Sequence, residues 1–87
     1  MDDNLQARIE HEIAELRTAY PQITGAHAVL EHWAEEPEQR YALLVDVRLP
    51  QHQSVVSSGV KDSAYAAMRA GFEAAHERMA ALAARGA

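Results

Sequence analysis

Cysteine is absent from the chain, which excludes a disulfide framework and any thiolate metal centre and makes a reducing compartment the expectation. Long apolar runs are missing as well: nothing approaches the roughly 20 consecutive apolar residues of a membrane-spanning helix. The opening residues Met1, Asp2, Asp3 and Asn4 carry neither a basic region nor an apolar one. The expected protein is thus neither exported nor inserted, and its expected location is cytoplasmic. Basic charge is in deficit, with 8 lysines and arginines against 13 aspartates and glutamates and a formal net charge of -5. That balance is the opposite of the footprint of a stand-alone nucleic-acid binder. No internal repeat, linker or low-complexity stretch divides the sequence, so its 87 residues are expected to form one domain (1–87). At that size a single core gives modest stability and association often adds to it.

What is present is periodicity. Leu5, Ile9, Ile13, Leu16 and Tyr20 recur at helical intervals behind a cap at Asp2 or Asp3, and Pro21 ends the helix because the residue before a proline avoids the α region. Residues 23–33 read as a strand with Ala26, Ala28 and Leu30 on one face and His27, Val29, Glu31 and Trp33 on the other. Residues 34–39, with three glutamates and Pro37, read as a polar turn. The clearest strand is 40–49: Tyr41, Leu43, Val45, Val47 and Leu49 form its core face, with Ala42, Leu44, Asp46 and Arg48 opposite. Pro50, Gln51 and His52 form a turn, and 53–60 a shorter, serine-rich strand of weak alternation.

Asp62 is expected to cap a final helix whose apolar stripe runs through Tyr65, Met68, Phe72, Ala75, Met79 and Leu82. Its many alanines suit close packing. A helix with one greasy face that follows a small sheet must lie across that sheet. The fold class is therefore α+β in two layers, α-β-β-β-α, with a three-stranded antiparallel meander and both helices on one face. The other face of the sheet is left partly wet.

Three stretches together resemble the short ribosome hibernation promoting factor family, also called the sigma-54 modulation or ribosome-associated inhibitor family. They are Leu-Gln-Ala-Arg-Ile-Glu at 5–10 running on to Tyr-Pro-Gln-Ile-Thr at 20–24; Arg-Tyr-Ala-Leu-Leu-Val-Asp-Val-Arg-Leu-Pro at 40–50; and Asp-Ser-Ala-Tyr-Ala-Ala at 62–67 with the helix after it. The resemblance covers most of the chain. Its most specific element is the acidic residue three before Tyr65, followed by Ala67. It implies a β-α-β-β-β-α domain that occupies the small-subunit channel for mRNA and tRNA and silences the ribosome under stress. By the same resemblance, Arg78 and Arg85, with Arg8 and Arg17 as weaker candidates, would contact rRNA phosphate.

Family members begin with a strand that the four residues before the first helix are too short and too acidic to form. That strand would pair beside 23–33, so this edge, carrying Ala26, His27, Ala28, Val29, Leu30, Glu31 and Trp33, is expected to be open and to mediate an edge-to-edge homodimer. The alternative function is a homodimeric interaction module with the same fold and no RNA binding. Double-stranded RNA binding on a similar plan is disfavoured, because the last helix starts without the lysine cluster such domains direct at phosphates.

The polar side chains suggest little chemistry. Arg8 and Arg17 are interspersed with Glu10, Glu12 and Glu15, and Arg69 lies beside Glu73 and Glu77, the pattern of a solvated face rather than a basic stripe. His11, His27, His32, His52 and His76 are scattered without the spacing of a zinc site, so no metal and no cofactor are expected. Glu35, Glu36 and Glu38 fall in a turn that water reaches, a poor place for a general acid or base. Ser54, Ser57, Ser58 and Ser63 lack a nucleophile elbow, and Gly59 alone makes no phosphate loop. Residues 60–63 are accounted for as strand end and helix cap. No enzyme and no small-molecule substrate are expected. Trp33 is read as interface or partial core in preference to a base-stacking platform.

Overall fold

A computed structural model describes residues 3–35, 38–50 and 54–85. Helix α1 (Asp3–Ala19) leads into strand β1 (Gly25–Glu35), then β2 (Glu38–Arg48), β3 (Ser54–Lys61) and helix α2 (Ala64–Arg85). Sheet order is β1-β2-β3 with both pairings antiparallel, so the α-β-β-β-α meander is the one the sequence implies. No described helix is long and apolar enough to cross a membrane.

Helix α1 closes where proline dictates. The Tyr20 amide still donates to the Leu16 carbonyl at 3.0 Å, and the Ile23 amide donates to the Tyr20 carbonyl at 3.1 Å, turning the chain over Pro21. Thr24 then ties the entry to β1 against the end of β2: its amide and its hydroxyl both donate to the Arg48 carbonyl, at 2.9 and 3.2 Å. From there the β1–β2 register runs unbroken from Gly25 opposite Arg48 to Glu35 opposite Glu38. The turn expected at 34–39 is thus mostly strand: Glu35 and Glu38 are ladder residues, and Glu36 and Pro37 lie outside the described residues. Gln51, His52 and Gln53 of the second expected turn lie outside them too.

One core joins the layers. Leu43, Val45, Val47 and Leu49 of the β2 segment, with Val55, meet Met68, Phe72, Ala75 and Met79 of α2 and Ile9 and Leu16 of α1. Leu5, Ile13, Ala26, Ala28, Leu30 and Leu82 pack around it half-buried. Helix α2 lies along β3 and β2, whereas α1 covers β1 with far fewer contacts. Fully burying side chains of this size stabilises by roughly 1.5–3 kcal/mol each.

Three details of the last segment differ from the pattern in the sequence. The cap of α2 is Ser63 rather than Asp62: its hydroxyl accepts from the Ala66 amide at 3.1 Å while its carbonyl accepts from the Ala67 amide at 3.0 Å. Tyr65 is 50% exposed. The buried face, formed by Ala67, Met68, Gly71, Phe72, Ala75 and Met79, is centred on Ala75, and Tyr65 falls roughly 80° around the helix from that centre. Strand β3 alternates strictly, burying Val55, Ser57 and Gly59 and exposing Val56, Ser58 and Val60.

Small inward residues on β3 are what let α2 approach so closely. A methyl group at Gly59 would lie 2.6 Å from the Ala70 Cβ and 2.6 Å from the Gly71 nitrogen. One at Gly71 would lie 2.9 Å from Leu43 Cδ2 and 3.1 Å from the Leu43 carbonyl oxygen. The Ser57 hydroxyl, buried at the same contact, reaches the Gly71 carbonyl at 3.5 Å. Proximity, not backbone angle, requires glycine at both positions.

Candidate functional site

With both helices on one side, the opposite face of the sheet is uncovered, and pairing across three strands assigns its surface row by row. Glu31, Ala42 and Val60 form one row; Val29, Leu44 and Ser58 the next; His27, Asp46 and Val56 the third; Gly25, Arg48 and Ser54 the last. Trp33 stands opposite Arg40 beyond the end of β3. Val29 (47%), Trp33 (45%), Val56 (53%) and Val60 (48%) are the large apolar side chains this face leaves in water. A face with that much apolar surface, bordered by charge, is the kind of patch that monomers rarely expose without a partner.

Charge on this face is sparse and mixed. Asp46 Oδ2 lies 3.9 Å from both His27 Nε2 and Arg48 Nη2, and its Oδ1 is buried with no hydrogen-bond partner. The Asp46 carboxylate thus sits between two cation-capable groups at distances slightly long for direct bonds.

Strand β1 is also a sheet edge, hydrogen-bonded to β2 alone among the described strands. All seven residues expected to form a dimer edge, Ala26, His27, Ala28, Val29, Leu30, Glu31 and Trp33, lie within it. His27, Val29, Glu31 and Trp33 point to the open face, while Ala26, Ala28 and Leu30 pack towards the helices. On the helix side near the hairpin tip, the His32 and Tyr41 rings stack at 4.3 Å, and both side chains reach Gln39 Oε1 at 3.3 Å.

The four arginines expected at phosphate divide into two groups. Arg78 and Arg85 are seven residues apart, about 20° on the helix. They line one open groove with Leu49, Ser54, Val55, Ala81 and Leu82, and no carboxylate is among the described residues that line it. Arg8 and Arg17 lie on α1 and do not line this groove. Arg8 instead faces Glu12 at 4.0 Å, an exposed i,i+4 pair of small energetic worth.

The described histidines lie apart from one another, and His52 is outside the described residues. His11 Nε2 lies 3.0 Å from Glu15 Oε1, and His76 stands beside Tyr20 with ring centroids 6.3 Å apart. No group of three or more metal-ligating side chains forms among the described residues. Val56 and Val60 are the site residues the sequence reading missed. The signal was Ser57 and Gly59 at alternate positions, small residues that belong against a close helix, which turns the valines outward.

Comparison of the chain with protein-family models, curated proteins and solved structures finds no match. The surfaces through which the fold can act are the open sheet face, the β1 edge and the arginine groove.

Proposed function

We propose that the protein is a ribosome-associated binding protein of the hibernation type, contacting small-subunit rRNA and inhibiting translation under stress in the cytoplasm. The observation that carries the reading is the convergence of Arg78 and Arg85 on one groove with no carboxylate among the described residues that line it, in a chain whose net charge is -5. Local charge of one sign is what a phosphate backbone senses at short range, because distant charges are screened beyond about 8–10 Å at physiological salt. The α-β-β-β-α arrangement and the resemblance of the three stretches quoted above support the same reading. Arg17 and the partly engaged Arg8 are secondary contacts. No catalysis, cofactor or metal is part of it.

The test is co-sedimentation with ribosomes across a salt series. Binding is expected at low salt and lost as salt rises. Charge reversal by Arg78→Glu with Arg85→Glu should sharply weaken pelleting at low salt and remove roughly 1.4–1.8 from the slope of log affinity against log salt, the share of two phosphate contacts. Pelleting unchanged by the double reversal would overturn the assignment of these arginines.

A second reading, a homodimeric interaction module without RNA binding, is favoured by a different observation. Strand β1 offers an 11-residue open edge beside exposed Val29 and Trp33. Under this reading the protein sediments as a dimer at high micromolar concentration and fails to pellet with ribosomes at any salt.

A further inference from the structure

We infer that a second copy of the chain pairs with β1 in one register, antiparallel about a two-fold axis through Val29, so that His27 of each copy faces the partner's Glu31. The inference rests on the homodimer reading and specifies its interface.

Strand β1 has what edge pairing needs and little of what prevents it. Its ladder with β2 is unbroken over 11 residues, with no bulge between Gly25 and Glu35. It contains neither proline nor lysine, the residues that usually blunt an edge. Two copies of one strand joined about a two-fold perpendicular to the sheet keep their faces aligned. The residue on the axis meets itself, and residues equally far before and after it meet each other. The choice of register is therefore the choice of central residue, and side-chain chemistry discriminates among the choices.

An axis at Glu31 sets like charges opposite each other. An axis at Leu30 faces Glu31 with the partner's Val29, and one at Ala28 faces it with the partner's Gly25; both leave the carboxylate uncompensated. An axis at His27 pairs imidazole with imidazole. Among these axes only the one at Val29 gives Glu31 a donor, twice over by symmetry, and it sets the exposed Val29 side chains against each other. Either protonation state of His27 has an N–H to donate. The imidazole also lies 3.9 Å from Asp46 on β2, so the row across the joined sheets becomes Asp46, His27 and the partner's Glu31.

The same register lays Trp33 opposite the partner's Gly25. A methyl group at Gly25 would meet only Arg48 Cβ, at 3.9 Å, which leaves room for an indole above the glycine. An aromatic ring covering a glycine on the adjacent strand is a recurrent way of pinning strand register. Inside, Ala28 meets the partner's Leu30, a small residue against a large one.

The natural absence of cysteine makes the test clean. Val29→Cys should oxidise to a covalent dimer, because residues facing each other across an antiparallel pair have Cα atoms about 4.5–5.5 Å apart, within the range a disulfide spans. Leu30→Cys should crosslink at least about tenfold more slowly, since only the on-axis residue meets itself. His27→Glu should weaken association about tenfold, and adding Glu31→Lys in the same chain should restore it. Val29, His27 and Glu31 are all exposed, and circular dichroism verifies that each variant is folded. A wild-type chain that sediments only as a monomer at high micromolar concentration overturns the inference together with the homodimer reading. A wild-type dimer in which Leu30→Cys crosslinks and Val29→Cys does not overturns the register and leaves the homodimer standing.

Discussion

Replacing Gly59 by alanine tests the claim that α2 lies against the inner face of β3. The new methyl would sit 2.6 Å from Ala70 Cβ, 2.6 Å from the Gly71 nitrogen and 2.8 Å from the Ala70 carbonyl carbon. Ordinary contacts between such atoms are about 3.5–4.0 Å, so helix and strand must separate by roughly 1 Å. Backbone atoms of a helix cannot rotate away as a side-chain tip does, and the separation loosens the whole contact from Val55 to Met79. We expect a loss of about 2–3 kcal/mol, the upper part of the range for overpacked cores. A domain of this length holds roughly 4–13 kcal/mol in total. For so small a domain each kcal/mol moves the melting temperature by about 4–8 °C, which puts the drop at about 10–20 °C. Urea unfolding followed by circular dichroism reads the same change as a lower midpoint at unchanged slope. Gly25→Ala, measured at low micromolar concentration, is the control: its methyl meets only Arg48 Cβ at 3.9 Å, and the outcome should be neutral to about 0.5 kcal/mol stabilising. If Gly59→Ala melts with the wild type, the close approach is wrong, and with it the reason Val56 and Val60 face outward.

Met79 is fully buried and Tyr65 half-exposed, so Met79→Ala should cost about 2–5 kcal/mol and Tyr65→Ala about 0.5 kcal/mol or less in the same urea experiment. A large loss at Tyr65 would restore it to the core stripe. Ser63→Ala removes the side-chain acceptor of the Ala66 amide and should cost about 1 kcal/mol; Asp62→Ala should cost clearly less, and the reverse order would return the cap to Asp62.

The sequence reading succeeded where one period dominated. Leu43, Val45, Val47 and Leu49 alternate against Ala42, Leu44, Asp46 and Arg48, and only one of those sets can serve as a core face. It placed β3 but left its two faces unassigned, because both mix valine with serine. The deciding quantity, the distance to α2, belongs to the tertiary structure and is signalled only by the small size of Ser57 and Gly59. Tyr65 misled because Ala67 and Gly71, with no bulk to draw attention, extend the buried face on the side away from it and leave Tyr65 beyond the opposite edge. Glu35 and Glu38 read as a polar turn by composition, yet a hairpin ladder extends as far as its register allows. The arginine groove was half legible: the seven-residue spacing places Arg78 and Arg85 together, but Ser54 and Leu49 join them only through folding.

The unequal attachment of the two helices sets the order in which the domain opens. Helix α2 shares the main core with β2 and β3, whereas α1 is held mainly through Ile9 and Leu16, with Leu5, Ile13 and Tyr20 half-buried around them. Sub-global opening favours the element with the fewest buried apolar contacts, so α1 amides are expected to exchange with solvent before those of α2. Once α1 lifts, β1 keeps only its light contact with α2 on the inner face while its outer face and one edge stay open, a more adhesive state than the seated one. The docking of α1 therefore governs how β1 meets another chain, as an ordered edge when the helix is seated and as an indiscriminate one when it is not.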